Sequence, residues 1–177
     1  MMERQERPSK ILIIFFVIFL AWALMQFLTP LSLPSNSISN LTGSVGVLDN
    51  ENSINKMSFP ANFIYSAGDR MCHQKSERSF YLNGNQMPFC SRCTAIWLGL
   101  AIGLGFMLFY KIDLDERFLF VILIGLVPIG IDGIGQHLGF WESTNIIRLV
   151  TGLLAGGVSG IAIGLITGEI EVNTYPD

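Results

Sequence analysis

Residues 11–28 read ILIIFFVIFLAWALMQFL, and this stretch decides the class of protein. It is apolar apart from Gln26. As an α-helix it would be about 27 Å long at a rise of about 1.5 Å per residue, enough to cross the hydrocarbon core of a bilayer. A cleavable signal peptide is the alternative, but the apolar run is longer than a usual signal core and no small-residue cleavage site follows. The sequence therefore predicts an uncleaved anchor.

The rest of the chain also has the composition of a membrane protein. Of its 177 residues, 50% are hydrophobic and 14% are charged, whereas soluble domains carry about 25% charge. Three further apolar segments occupy residues 94–110, 118–134 and 146–167. The predicted fold class is all-α, a polytopic membrane bundle of about four transmembrane helices in the lipid bilayer. The net charge of -3 provides no basic surface for nucleic acid, so no nucleic-acid partner is expected.

Two unlike segments separate the first two spans. Residues 29–57 are rich in Ser, Asn, Pro and Gly, which predicts a flexible linker. Residues 58–93 mix aromatic side chains with charges and are predicted to form a cap on the membrane surface. Residues 1–10 carry basic side chains before the first span, which predicts a multi-pass protein of the cell membrane with both termini cytoplasmic and the cap outside.

The fourth apolar segment has glycine at every fourth position, which places the glycines on one helix face. Such a face lets a neighbouring helix approach closely. The second segment repeats the spacing at Gly99 and Gly103. The pattern predicts tight packing within the bundle. A homodimer or another partner helix is the alternative occupant of the face formed by Gly152, Gly156, Gly160, Gly164 and Gly168.

The cap contains all three cysteines and one of the two histidines of the chain. Cys90 and Cys93 form a Cys-x-x-Cys pair, and Cys72 and His73 precede them. A Cys-x-x-Cys pair lets two thiolates bind one tetrahedral ion, and an earlier Cys-His pair supplies two more ligands. Three sulfurs and one nitrogen suit zinc. The sequence therefore predicts a zinc site with the ligands Cys72, His73, Cys90 and Cys93.

Two other interpretations fit the same cysteines. Cys90 and Cys93 could form a redox-active disulfide with Cys72 as an exchanging third thiol, which an extracytoplasmic location favours. Buried cysteines also pack as small hydrophobic side chains without further chemistry.

Polar residues interrupt the third span and its connection to the fourth. Asp132 and Gln136 are four residues apart and share one helix face. A carboxylate within the membrane is costly unless it is paired or hydrated, and Arg148 is the obvious partner. One interpretation is an Asp132–Arg148 pair that only holds two helices together. The other is a polar pocket with the candidate catalytic residues Asp132, Gln136 and Arg148, to which His137 and Glu142 would add.

The predicted topology places this pocket beneath the cap. The third span ends, and the second and fourth begin, at the same membrane face, so the cysteines and the pocket meet there. Arg78 and Arg92 of the cap, together with Arg148, would bind an anionic small molecule or a lipid head group. Ordinary interfacial arginines that extend toward water are the alternative.

Two motifs resemble the predicted membrane proteins of the family called domain of unknown function 2085. Residues 72–94 read CHQKSERSFYLNGNQMPFCSRCT and form the first motif. The resemblance covers residues 65–168 and implies a small polytopic membrane protein, without a reaction. The second motif comprises Asp132, Gly133, Gln136, Arg148, Thr151 and Gly152.

The sequence supports three hypotheses about function. The first is an integral membrane protein with a zinc-stapled cap over a polar pocket that binds an anionic ligand or a lipid head group. The second is a membrane thiol–disulfide oxidoreductase that uses Cys90 and Cys93. The third is a non-catalytic accessory or transport subunit whose glycine face docks a partner helix. None of the three assigns a substrate.

Overall fold

Helices dominate the computed structural model of the protein, which describes residues 2–4, 8–112 and 115–174. The fold is helical, as predicted, apart from a short 3-10 turn and two small antiparallel ribbons of two strands each. The helices are α1 Lys10–Ser32, α2 Glu51–Ile54, α3 Ala61–Met71, α4 Ser91–Met107, α5 Glu116–His137 and α6 Asn145–Thr174, the turn is Ser76–Arg78, and the strands are β1 Met2–Arg4, β2 Tyr81–Leu82, β3 Asn85–Gln86 and β4 Tyr110–Ile112.

Three of these helices are long and apolar enough to cross a membrane, namely α1, α5 and the Asn145–Gly168 part of α6. Helix α4 is also apolar but has 17 residues, which gives it a length of about 25 Å. Polar side chains cap the start of all three long helices. Ser9 accepts a hydrogen bond from the backbone N–H of Leu12 in α1 at 3.4 Å. Asp115 accepts a hydrogen bond from the backbone N–H of Phe118 at 2.8 Å, and Thr144 accepts one from Ile147 at 3.3 Å.

Helices α4 and α6 pack backbone against backbone along the predicted glycine ladder. A Cβ atom added to Gly103, Gly156 or Gly160 would lie between 2.2 and 2.4 Å from a main-chain oxygen of the facing helix. Real Cβ atoms do not come this close, so only glycine fits. The prediction of tight packing within the bundle is confirmed. Among the described residues, α4 of the same chain covers this face from Gly152 to Gly164, whereas nothing lies within 4 Å of a Cβ atom at Gly168. A homodimer or another partner helix on this face stays a prediction.

Residues 29–57, for which the sequence predicts a flexible linker, differ from that prediction in the structure. The first of them complete α1, which ends at Ser32. The later ones contribute to a small core with α3. Their hydrophobic side chains follow no helical or strand period, so composition alone indicated a linker. The buried cluster comprises Ile38, Leu41, Ile54, Met57, Ala61 and Tyr65.

Two buried amide side chains, Asn85 and Gln86 of β3, attach this segment to the cap. Asn85 accepts a hydrogen bond from the N–H of Ile38 at 2.9 Å and donates one to the carbonyl of Pro30 at 2.9 Å. Gln86 accepts a hydrogen bond from the N–H of Leu41 at 2.9 Å. Because Pro30 belongs to α1, this network fixes the cap against the end of the first helix.

The two ends of the bundle carry different structures. Strand β1 pairs with β4, so the N-terminal residues lie beside the connection between α4 and α5. The cap lies at the other end, where Asn85 contacts the end of α1 and Asn145 at the start of α6 donates to the carbonyl of Glu77 at 3.4 Å. The assignment of the first end to the cytoplasm stays a prediction.

Candidate metal centre and the adjoining cavity

Three thiols converge where the cap meets the start of α4. Cys72 directly follows α3, Cys90 precedes α4, and Cys93 lies in the first turn of α4. Their sulfur atoms all lie within 4.8 Å of one another, and none forms a disulfide. Cys72 is buried and the other two are half-buried. The three sulfurs are close enough together to bind one metal ion.

Local backbone structure brings the two cysteine-bearing segments together. The side chain of Gln74, itself fully buried, donates a hydrogen bond to the carbonyl of Pro88 at 2.8 Å. The N–H of Cys90 donates to the sulfur of Cys72 at 3.4 Å. Gly68 of α3 permits this approach, since a Cβ atom there would lie 1.9 Å from the carbonyl oxygen of Pro88. The chain therefore positions the thiols through contacts that need no metal ion.

The thiols also hydrogen-bond to one another, which favours one thiolate. Hydrogen bonds from Cys72 and Cys93 hold the pKa of Cys90 far below its usual value. The bond to Cys90 raises the pKa of the Cys72 thiol, and burial raises it further. One sulfur thus accepts from two others, and a divalent cation could take the place of the shared protons.

His73, the fourth predicted ligand, does not belong to this group. Its side chain is exposed, and its ring nitrogens lie outside the group of sulfur atoms that are mutually within 4.8 Å. It nevertheless lines the same cavity as the three cysteines. The structure therefore brings three of the four predicted ligands together and places His73 at their cavity.

The cavity beside the thiols, here called the thiol cavity, has a volume of about 310 Å³. A neighbouring cavity of about 430 Å³, here called the histidine cavity because His73 and His137 line it, shares part of its wall. The cap, α4 and α5 supply lining residues to both cavities, and α6 supplies Arg148 to the thiol cavity. The residues common to both are His73, Lys75, Arg78, Arg92 and Gln136.

An ion pair between Arg92, which lines both cavities, and Asp132 connects α4 to α5. Asp132 is 3% exposed and accepts a hydrogen bond from a terminal nitrogen of Arg92 through one carboxylate oxygen. The sequence predicts Arg148 as the partner, and the structure corrects this assignment. The reason is reach: Arg92 starts in the first turn of α4, and its long side chain extends across to α5.

Arg148 is a buried cation without a carboxylate partner in the part of the chain that the structure describes. It is 4% exposed, and it donates a hydrogen bond to the side-chain oxygen of Asn145 at 3.2 Å. Within the described ranges no carboxylate oxygen lies within 4.0 Å of its guanidinium. Arg78 differs, because it lies 3.8 Å from the exposed carboxylate of Glu77.

Several buried polar atoms in this region have no hydrogen-bond partner in the part of the chain that the structure describes. They are Nε of Arg92, Nε2 of Gln136 and Oδ1 of Asp132. A buried donor or acceptor without a partner costs about 1–3 kcal/mol, so such atoms usually mark a place where water, an ion or a ligand binds. Two of the three residues, Arg92 and Gln136, line both cavities.

The predicted pocket residues therefore take different places. Gln136 and Arg148 line the thiol cavity, and His137 lines the histidine cavity. Asp132 lines neither but holds Arg92, and Glu142 is exposed and lines neither. Sequence reasoning missed Lys75, which lines both cavities. Its position two residues after His73, inside the first motif, was the available signal.

Known proteins resemble the part of the chain that contains this site. An uncharacterised protein of Methanocaldococcus jannaschii is 35% identical over 96 residues, which are 52% of this chain and 61% of that protein. An uncharacterised protein of Methanothermobacter thermautotrophicus is 37% identical over 86 residues, which are 49% of this chain and 78% of that protein. The chain thus spans about 61% of the length of the first relative. No solved structure matches the chain.

A family model extends the same similarity over more than half of the chain. Residues 72–168 match the model described as predicted membrane protein, domain of unknown function 2085. The matched region begins at Cys72 and contains all three thiols and α4 and α5, together with α6 up to Gly168, whereas α1 lies outside it. By this match the chain belongs to the membrane protein family called domain of unknown function 2085.

Proposed function

We propose that the protein is a metal-binding membrane protein whose cap holds one zinc ion over a cationic cavity that binds an anionic ligand. The observation that carries the proposal is the convergence of three sulfur atoms within 4.8 Å of one another. Thiolates are soft ligands that favour zinc among the common divalent ions, and zinc accepts them in a tetrahedral arrangement. Carboxylate-preferring ions such as magnesium and calcium do not suit this group.

The fourth ligand in this proposal is His73. It follows Cys72 directly in the chain, and of the two histidines in the sequence it alone lines the thiol cavity. A structural zinc site is closed by four protein ligands, and imidazole is the usual partner of three thiolates. Zinc bound in this way would hold the segment after α3 to the start of α4, and so would fix the cap over the mouth of the bundle.

The anionic ligand follows from the charges around the cavity. Lys75, Arg78, Arg92 and Arg148 line it, and Asp132 engages one of them. A partly buried group of cations favours the binding of an anion, because the cations repel one another and cannot neutralise one another's charge. The ligand could be a small molecule or a lipid head group.

Metal content of the purified full chain tests the metal site. We expect about one zinc per chain by elemental mass spectrometry, and its loss in Cys90→Ser because one thiolate is removed. His73→Ala should release zinc to a chelator at least tenfold faster than the wild type. His137→Ala is the matched control, because His137 does not line the thiol cavity and should leave zinc binding unchanged. Full zinc content in Cys90→Ser would contradict the proposal.

A thiol–disulfide oxidoreductase is the second candidate, and the lowered pKa of Cys90 favours it, because a thiolate is the reactive form of cysteine. Alkylation followed by mass measurement separates the two functions. A closed zinc site would protect all three thiols until the metal is removed. A cycling pair would show a mass shift for Cys90 and Cys93 that changes with reductant in the absence of metal.

A further inference from the structure

The buried cation Arg148 needs a negative partner that the described chain does not supply. At 4% exposure its charge is largely removed from water, which is costly without an opposite charge. Asp132 is already engaged by Arg92. An anion in the thiol cavity, which Arg148 lines, would provide the missing charge.

The unpartnered groups that line this cavity are hydrogen-bond donors. Asp132 occupies a terminal nitrogen of Arg92, and the Nε atom of Arg92 is buried without a partner in the described part of the chain. The Nε2 atom of Gln136 is likewise buried without a partner among the residues described. Both atoms carry hydrogen and cannot accept. The ligand must therefore present several acceptor oxygens to them, as an oxyanion does.

The arrangement of the donors distinguishes among oxyanions. Lys75 comes from the cap, Arg92 from α4, Gln136 from α5 and Arg148 from α6, so the donors surround the cavity from separate elements. A tetrahedral group offers oxygens in all these directions, whereas a planar carboxylate offers two oxygens in one plane. Within the described residues Lys75 and Arg148 remain after Asp132 engages Arg92 and Glu77 engages Arg78, and a phosphomonoester carries nearly two negative charges at neutral pH.

We propose that the thiol cavity binds a phosphomonoester group, with Arg92 Nε, Gln136 Nε2 and the Arg148 guanidinium as its donors. The phosphoryl group is the chemistry that these residues recognise, whether a lipid or a soluble molecule carries it. The inference rests on the proposed function, because it names the class of the anionic ligand at that same site.

The experiment compares ligands and a matched pair of variants on the zinc-loaded full chain in detergent. Calorimetric titrations use inorganic phosphate and acetate as soluble probes. The first variant, Gln136→Leu, removes a buried donor at the cavity. The second, Gln26→Leu, removes a fully buried amide in α1 whose nitrogen and oxygen have no partner among the described residues and which lines neither cavity. Zinc content of every sample reports whether the cap is intact.

We expect phosphate to bind at least tenfold more tightly than acetate, and Gln136→Leu to weaken phosphate about tenfold or more, as for a hydrogen bond to a charged group. Gln26→Leu should change neither the affinity for phosphate nor the preference for phosphate over acetate. Equal binding of acetate and phosphate, or a zinc-loaded Gln136→Leu with unchanged phosphate affinity, would overturn the assignment to phosphomonoesters while leaving an anion site in place. If neither phosphate nor acetate binds, and neither phospholipid is retained in the lipid experiment below, the proposed anion site is contradicted as well. The zinc content tests the metal site separately.

A lipid arm identifies the carrier of the phosphoryl group. Native mass spectrometry would count phosphatidic acid and phosphatidylglycerol retained from mixed micelles, because the former is a phosphomonoester and the latter a diester. Preferential retention of phosphatidic acid that Gln136→Leu abolishes supports a lipid ligand. Phosphate binding without this retention supports a soluble one. Equal retention of both lipids, with no phosphate binding, contradicts the proposal.

Discussion

The Arg92–Asp132 ion pair shows at the scale of single residues how the cavity is built. Asp132 is nearly inaccessible, whereas the side chain of Arg92 is 23% exposed, so the pair spans the boundary between the helix packing and the cavity. A buried ion pair is often close to neutral for stability, but the loss of one partner leaves the other charge uncompensated. Asp132 thus keeps Arg92 in place at the wall of both cavities.

A double-mutant cycle tests this pairing. We expect Arg92→Gln and Asp132→Asn each to lower the midpoint temperature of thermal unfolding in detergent, because each leaves an unpaired buried group. The double variant should lose less stability than the sum of the losses in the two single variants, with an interaction free energy of about 0.5–3 kcal/mol. Arg70→Gln is the control, because Arg70 is exposed on α3 and should behave as the wild type. Additive losses would refute the pairing.

Residue types and spacing were enough to identify the thiol group, Gln136 and Arg148 from the sequence. The spacing of Cys90 and Cys93 indicates a shared ligand, and helical topology places them at the level of Arg148. The partner of Asp132 could not be found in this way. Sequence gives the depth of a residue along a helix, but the choice between Arg92 and Arg148 depends on helix rotation and side-chain reach.

The contact between α4 and α6 is the most extensive one between the described elements of the bundle. It lacks side chains at its centre, so its stability comes from close van der Waals contact between backbones. Because α6 is held to α4 so closely, Arg148 and Arg92 face the same cavity. The glycine ladder thereby positions the anion site as well as the helices.

A matched pair of glycine substitutions tests this contact. In Gly156→Ala the new Cβ atom would lie 2.2 Å from the main-chain oxygen of Ile96, so we expect a marked loss of thermal stability and of zinc retention. In Gly130→Ala the new atom meets nothing within 4 Å. Alanine also favours helix by about 1 kcal/mol over glycine, so this variant should be as stable as the wild type or more so. Equal melting temperatures for the two variants would contradict the backbone contact.

Element boundaries followed from the sequence only where apolar runs mark them. The helices α1 and α6 continue past their apolar runs, to Ser32 and to Thr174. The packing of residues 29–57 could not be foreseen for a different reason. Buried amides of Asn85 and Gln86 hold this segment, and such distant hydrogen bonds leave no periodic pattern in the sequence.

At the scale of the whole molecule, the cap and the β1–β4 ribbon lie at opposite ends of the bundle. Helix α2 packs against α3 of the cap through Ile54, so residues in α2 should be accessible from one side of the membrane. Residues at the start of α5 should be accessible from the other side. The basic N-terminal flank predicts that the cap is outside.

Cysteine labelling on whole cells tests this orientation. We expect Asn52→Cys, exposed in α2, to react with a membrane-impermeant maleimide in intact cells above the level of the unsubstituted chain. Glu116→Cys, exposed at the start of α5, should react only after lysis. The reverse result would invert the predicted orientation. Reaction of both in intact cells would contradict the placement of the two sites at opposite ends.

The shortness of α4 sets the depth of the site in the bilayer. Trp22 of α1 and Trp97 of α4 contact each other with ring centroids 5.8 Å apart, which aligns the two helices. From that level α1 continues about 15 Å to its end at Ser32, whereas α4 starts only about 9 Å away at Ser91. The start of α4, with Cys90 and Cys93, thus lies about 6 Å short of the end of α1, and we expect this level to be the depth of lipid head groups. A phospholipid could reach them by lateral diffusion within its own leaflet, while a water-soluble ligand would have to enter past the cap.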